Sequence, residues 1–153
     1  MSRDVMRIIS GLRTGKNHLN QYLQKRLKVI DSAQCECGDT EQDIYHLLKD
    51  CDYHGIAQRR DTMQTRVRKI YLDHWHAQTL IHDKTLKWNP RTMDYEDPNT
   101  YLFPPQDIPI ERRTWIMTSI ANFYRWIRSY NERQRRKRGE EEQEVESSRS
   151  GIG

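Results

Sequence analysis

Val5, Ile8, Ile9 and Leu12 recur at i, i+3, i+4 and i+7 among polar and charged residues, a spacing that lines one face of an α-helix. Gly11 and Thr14-Gly15 punctuate this element. The period resumes through Leu19, Tyr22, Leu23, Leu27 and Ile30, which predicts a second helix, or a continuation after a break, running to Ile30. Asp31 to Thr40 is polar, with one glycine and two cysteines, and reads as a loop. Thr40-Glu41-Gln42-Asp43 then has the form of a capping box, in which the Thr40 hydroxyl and the Asp43 carboxylate satisfy open amides at a helix start. Ile44, Leu47 and Leu48 give this third helix its apolar stripe, and Asp50-Cys51-Asp52 ends it.

Ile56, Met63, Val67, Ile70, Tyr71 and His74 restore the helical period and predict a long helix to about Leu80, with Arg59, Arg60, Arg66, Arg68 and Lys69 around it. All five prolines fall between Pro90 and Pro109. That density of breakers predicts an extended loop over about 83–109, fastened to the helices by Trp88, Tyr95, Tyr101 and Phe103. Pro109 suits a first helical turn, and Ile116, Ile120, Phe123 and Ile127, flanked by Trp115 and Trp126, predict a final helix over about 110–131. A basic run to Arg138 and an acidic run from Glu140 to Glu146 follow. Residues 132–153 are expected to form a disordered charged tail. No internal repeat is visible.

The composition sharpens this picture. Leu, Ile, Val and Phe supply only 29 of the 153 residues, close to the level at which disorder becomes the default. A net charge of only +4, with 4 Trp and 8 Tyr, argues instead for a small folded core that needs reinforcement. No apolar run approaches the roughly 20 residues that span a bilayer, and charge breaks the N-terminal MSRDVMRIIS before a signal-peptide core forms. Membrane partners are therefore not expected. The three cysteines cannot all pair, and Cys35 and Cys37 sit too close for an unstrained bridge. Free or metal-bound thiols in a reducing intracellular compartment, nuclear or cytoplasmic, are the expectation.

Cys35, Cys37, His46 and Cys51 form a C-x-C-x8-H-x4-C pattern. Three thiolates and an imidazole match the donor set and number of a tetrahedral zinc ion. Gly38 permits the tight turn after the first pair, the third helix presents His46, and its end delivers Cys51. Four protein ligands leave no open position, so one structural zinc is expected. Such an ion can contribute on the order of 10 kcal/mol to folding, which a chain poor in aliphatic residues needs. His54 and Asp52 are spare donors nearby, so His46 or His54 can be the fourth ligand. Three unrelated cysteines and a surface histidine are the plain alternative. The fold expected is mostly α: a single helical domain over 3–131, zinc-stapled at about 31–54.

Leu12-Arg13-Thr14-Gly15, Leu19, Tyr22-Leu23, Cys35-Glu36-Cys37-Gly38, Glu41, His46-Leu47-Leu48, Cys51, Tyr53 and Arg59-Arg60 together resemble the cysteine/histidine segment near the C-terminus of reverse transcriptase polyproteins from non-long-terminal-repeat retrotransposons. The likeness covers roughly residues 7 to 60. Lys16, Asp43 and Asp52 depart from the family pattern, which usually has histidine, threonine and proline there. The resemblance implies an accessory zinc-binding segment, retrotransposon-derived, that helps hold nucleic acid. No Tyr-x-Asp-Asp polymerase motif and no set of RNase H carboxylates accompanies it.

A nucleic-acid-binding role for RNA or DNA would use Arg59, Arg60, Arg66, Arg68, Lys69, Arg135, Arg136, Lys137 and Arg138 against phosphates. Tyr22, Tyr71, Trp75 and Trp88 would offer stacking faces. Ordinary solvated helix faces are the plain alternative for the same basic clusters. The run through Arg138 also resembles a nuclear localisation patch. A second reading is a protein-interaction module, or a non-functional retrotransposon remnant, with the aromatic loop and the Trp115/Trp126 helix as contact surface. An enzyme is not expected: His74 and His76 point about 200° apart on a helix, and no nucleophile joins His74 and Gln78.

Overall fold

The computed structural model describes the backbone of residues 1–81 and 87–150 and the side chains of residues 1–78 and 87–141. Six helices form among the described residues: α1 (Arg3–Thr14), α2 (Asn20–Lys25), α3 (Ile44–Lys49), α4 (His54–Ile81), α5 (Asn99–Leu102) and α6 (Ile110–Ser150). The sole β pairing there is an isolated antiparallel bridge between Gln34 and Glu41.

The first helix follows its stripe, with Val5, Ile9 and Leu12 buried. Ser2 caps its start by accepting from the Val5 amide at 3.2 Å, and Gly15 closes it with φ 77°. The second is much shorter than its periodicity predicts. It stops at Lys25; the Arg26 and Leu27 amides both turn back to the Tyr22 carbonyl, and Lys28 takes φ 54°. Leu27 and Val29 are left exposed, so beyond Leu23 the period has no surface to bury, and helical spacing without burial does not hold a helix. The predicted capping box is also corrected. Asp43 itself caps α3, accepting from the His46 amide at 2.8 Å, while the Thr40 carbonyl accepts from the Cys35 amide at 2.8 Å in the preceding turn.

The long helix α4 forms as predicted, and it runs antiparallel to α6. Gly55 and Arg59 near its start meet Trp126, while His74 near its end lies in the field of Arg112. α1 is likewise antiparallel to α6, because Asp4 pairs with Arg125 and Arg13 reaches the Met117 sulfur at 3.6 Å. Ile9, Leu19, Leu47, Leu48, Ile56, Val67, Ile116, Ile120 and Ile127 are almost wholly enclosed in one cluster that also contains Cys35 and Cys51. Each such aliphatic side chain stabilises the fold by about 1.5–3 kcal/mol.

The proline-rich segment, described from residue 87, packs by its aromatic residues and contains one short helix, α5. Tyr95 and Tyr101 are buried; the Tyr101 hydroxyl donates to the Tyr95 carbonyl at 2.6 Å and the Tyr95 hydroxyl to the Pro90 carbonyl at 2.8 Å. Trp88 meets Tyr71 edge-on and stacks on His74. Phe103 corrects the expectation, being 57% exposed with the Arg13 guanidinium 4.8 Å from its ring. Arg13 is drawn there because it donates to the Leu102 carbonyl.

The largest departure is at the C-terminal end. Residues expected to be a disordered tail from 132 continue α6 to Ser150, and residues 151–153 lie outside the described residues. Arg, Lys, Gln and Glu are all good helix formers, and the first turns past 131 are anchored by contacts to distant residues, given below. No helix among the described residues is long and apolar enough to cross a membrane.

Candidate metal centre

Two local devices bring the cysteine/histidine pattern together. After Ser32, the chain folds into a tight turn in which the Gly38 amide donates to the Cys35 carbonyl at 2.9 Å. Gly38 takes φ 81° there, a conformation that favours glycine. This projects Cys35 and Cys37 from one turn. The second device is α3. Its capped first turn fixes His46, and at its end the Asp50 and Cys51 amides both donate to the His46 carbonyl, at 2.9 and 3.0 Å. That closing turn swings Cys51 back beside His46. Arg60 on α4 locks the turn by donating to the Cys51 carbonyl at 2.6 Å and the Leu47 carbonyl at 3.3 Å, satisfying helix-end carbonyls with a cation.

The result is a compact donor set: the ligand atoms of Cys35, Cys37, His46 and Cys51 all lie within 4.8 Å of one another. Cys35 Sγ is 3.8 Å from Cys51 Sγ, and Cys37 Sγ is 3.3 Å from His46 Nε2. A zinc ion with bonds of about 2.3 Å to sulfur and 2.0–2.1 Å to nitrogen requires tetrahedral edges of about 3.8 Å and 3.6 Å respectively. The sulfur pair matches, and the sulfur–nitrogen pair, at 3.3 Å, is somewhat closer than that edge. The cysteines are free rather than disulfide-bonded. Cys35, His46 and Cys51 are buried, Cys37 half-buried. His54, the spare donor, opens α4 on the exposed surface and is not part of the set, and Asp52 is exposed as well.

The electrostatics of the three sulfurs are unequal. A hydrogen bond from Cys51 holds the Cys35 thiol well below the usual range against its own burial, and the same contact pushes Cys51 up. Burial pushes Cys37 up. Among themselves the sulfurs thus favour a single thiolate, and a divalent cation is the group that allows all three to ionise. His46 Nδ1 is buried without a hydrogen-bond partner, so packing, not an outer hydrogen bond, orients the ring.

Gln42, which the sequence pattern places only in a capping box, is the hub of the surrounding layer. It is fully buried, and its amide nitrogen donates to Cys35 Sγ at 3.5 Å and to Asn131 Oδ1 at 3.1 Å. Its amide oxygen accepts from Asn131 Nδ2 at 2.6 Å and from the Asn20 amide at 3.2 Å. Every donor and acceptor of this side chain is used. One turn further along α6, Arg135 reaches Asn20 Oδ1 at 3.1 Å, and Arg138 grips Glu36, the residue between the two cysteines, at 2.9 Å. The sequence does carry a signal for Asn131: it stands four residues after Ile127, a lone amide on the apolar stripe of α6.

Several basic residues singled out from sequence are occupied within the fold. Arg59 lies 5.1 Å from the Trp126 ring and Arg68 4.7 Å from Tyr95, while Arg60, Arg135 and Arg138 make the contacts just described. Arg66, Lys69, Arg136 and Lys137 are exposed and make no ion pair among the described residues. Of the proposed stacking faces, Tyr71 is fully buried and so closed to a base, Trp88 stacks on His74, and the Arg91 guanidinium is 5.6 Å from the Trp75 ring. His74 is buried and His76 exposed. No family model, curated protein or solved structure matches the chain.

Proposed function

We propose that this chain is a non-catalytic zinc-binding module that holds RNA or DNA, of the kind the resemblance in residues 7–60 implies for the accessory segment of a retrotransposon reverse transcriptase. The observation that carries the reading is the convergence of the ligand atoms of Cys35, Cys37, His46 and Cys51 to within 4.8 Å of one another. The donor chemistry, three thiolates and one imidazole, favours zinc over oxygen-seeking cations. Four protein ligands leave no position for a substrate, so the ion supplies cohesion and not Lewis acidity. It would join the cysteine turn to α3 and, through Gln42 and Asn131, to α6. A basic surface with exposed Arg66, Lys69, Arg136 and Lys137 supports phosphate binding.

Elemental analysis of protein purified without added metal tests the first half. One zinc per chain, lost in Cys37→Ser, is expected; metal-free protein that keeps its full helicity would overturn the reading. Affinity for an oligonucleotide that falls steeply with salt tests the second half, because an apolar protein contact would not respond that way.

A further inference from the structure

The last turn of α1, α2 and the start of α3 enclose a cleft of about 750 Å³, within the size range of ligand sites. Four cationic side chains line it, Arg13, Lys16, Lys25 and Arg26, against one carboxylate, Asp43. That carboxylate is occupied in capping α3. Arg13 is turned onto the Leu102 carbonyl, and Lys25 holds Glu41 at 2.9 Å. Lys16 and Arg26 are exposed and make no ion pair among the described residues. Lys16 is held at the rim by the tightness of its turn: a Cβ on Gly11 would come within 2.5 Å of the Lys16 carbonyl oxygen.

The aromatic content separates this cleft from the rest of the surface. Tyr22 is half-buried and Tyr45 is 60% exposed, and among the described residues neither ring stacks on another ring or lies under a cation. Of the competing aromatic residues on α4 and α6, Trp115 is exposed but is not among the residues that line this cleft, and Trp126 is engaged within the fold. Trp126 lies between Tyr130, stacked at 5.4 Å, and the guanidinium of Arg59, and Tyr130 also meets Tyr53. Available π-faces beside unpaired cations suit unpaired bases joined by phosphates. A duplex, whose bases are stacked on one another, offers such rings nothing.

We propose that this cleft binds single-stranded nucleic acid, with bases on Tyr22 and Tyr45 and phosphates on Lys16 and Arg26. The inference rests on the nucleic-acid reading above and places a base-stacking contact, in addition to the α4 arginines, at a site whose wall, Gln42 to Tyr45, adjoins the candidate metal centre through the Gln42–Cys35 contact.

Fluorescence anisotropy with labelled single-stranded RNA, single-stranded DNA and a duplex of the same sequence tests it, using the full chain with its metal content and helicity verified. Tyr45→Ala, at an exposed position, is expected to weaken single-strand binding on the order of tenfold and leave duplex binding unchanged. Lys16→Gln with Arg26→Gln is expected to lower the slope of log affinity against log salt by about 0.7 for each phosphate no longer neutralised. A control, Arg66→Gln with Lys69→Gln on the basic surface of α4, should lower single-strand and duplex affinity alike and leave the preference for single strands intact. If the control loses binding while the cleft variants bind like the unaltered chain, the cleft is wrong and the nucleic-acid reading survives. Equal weakening of single strands and duplex, with no effect of Tyr45→Ala, overturns base stacking. An unaltered protein that binds none of the probes removes both readings.

Discussion

The antiparallel α4–α6 pair is closed at its two ends by different chemistry. At one end Trp88, Tyr95 and Tyr101 from the proline-rich segment gather around Tyr71 of α4, and the Tyr95 and Tyr101 hydroxyls reach carbonyls within the same segment. That closure uses only atoms the chain itself supplies. At the other end the cysteine turn, α2 and α3 bury, beside Leu23, Ile44, Leu47 and Leu48, a set of polar groups: three sulfurs, an imidazole and Gln42, which pairs with Asn131 of α6. Burying these groups costs free energy unless every one is satisfied. The sulfurs are not satisfied by one another, because their mutual hydrogen bond lowers one thiol only by raising its neighbour. The aromatic end is therefore satisfied by its own atoms, whereas the cysteine end carries a donor set able to hold a cation.

The sharpest way to break that comparison is to remove metal. Chelation, or Cys37→Ser, deletes a contribution on the order of 10 kcal/mol from one end alone. Hydrogen exchange is expected to show the amides of α2, α3 and residues 33–42 losing protection, while those around Tyr95–Leu102 keep it. Uniform loss across both ends would show that the molecule is a single cooperative unit and that the contrast is only one of composition. Retained protection at the cysteine end would show that the donor set is not what holds it.

What the sequence discloses follows the same division. The four donors are legible because they fall within one short stretch, where spacing, a glycine turn and a brief helix determine the geometry. α4 is legible because its period is long and its stripe meets a partner. The end of α2 is not, because Leu27 and Ile30 continue a pattern whose burial depends on neighbours that spacing cannot reveal. Nor is the reach of α6: Arg135 and Arg138 read as part of a charged tail until the fold places Asn20 and Glu36 beside them, each more than a hundred positions away. Phe103 errs in the other direction, an aromatic residue whose neighbour is a guanidinium rather than a core.

A smaller effect sharpens how the cysteine end is tied to α6. Asn131→Ala leaves Gln42 with one donor and one acceptor unpaired in a fully buried position, a loss of about 1–3 kcal/mol. Denaturant unfolding of metal-loaded protein should register it as a lower midpoint. Zinc exchange, followed with a chromogenic chelator, should also quicken, because the amide that orients Cys35 loses its own support. Asn131→Asp, which keeps an acceptor but not the donor, should be no milder, since Gln42 Oε1 then faces a carboxylate. A variant with unchanged midpoint and exchange rate would reduce the amide pair to a packing role.

The smallest effect lies at the aromatic end and concerns pH. Burial holds the His74 imidazole below its ordinary value near 6.5; nearby Arg112 acts in the same sense, and Asp107 opposes them. Because the folded-state value is depressed, His74 contributes stability in full above its unfolded value and loses it as the pH falls from there through the folded value. Its ring stacks on Trp88 at a centroid distance of 6.1 Å, so protonation places a charge against that indole while Nε2, buried without a partner, gains a proton with no acceptor. Fluorescence followed between about pH 7.5 and 5.5 at metal-saturating zinc should report weakening at this end, and His74→Phe should reduce the pH dependence while preserving the stack. His18, lowered by burial and by Arg128, contributes in the same direction, so the His74 portion is the part that the substitution removes. An unaltered pH profile in His74→Phe would assign the acid sensitivity to groups other than the aromatic end, His18 among them.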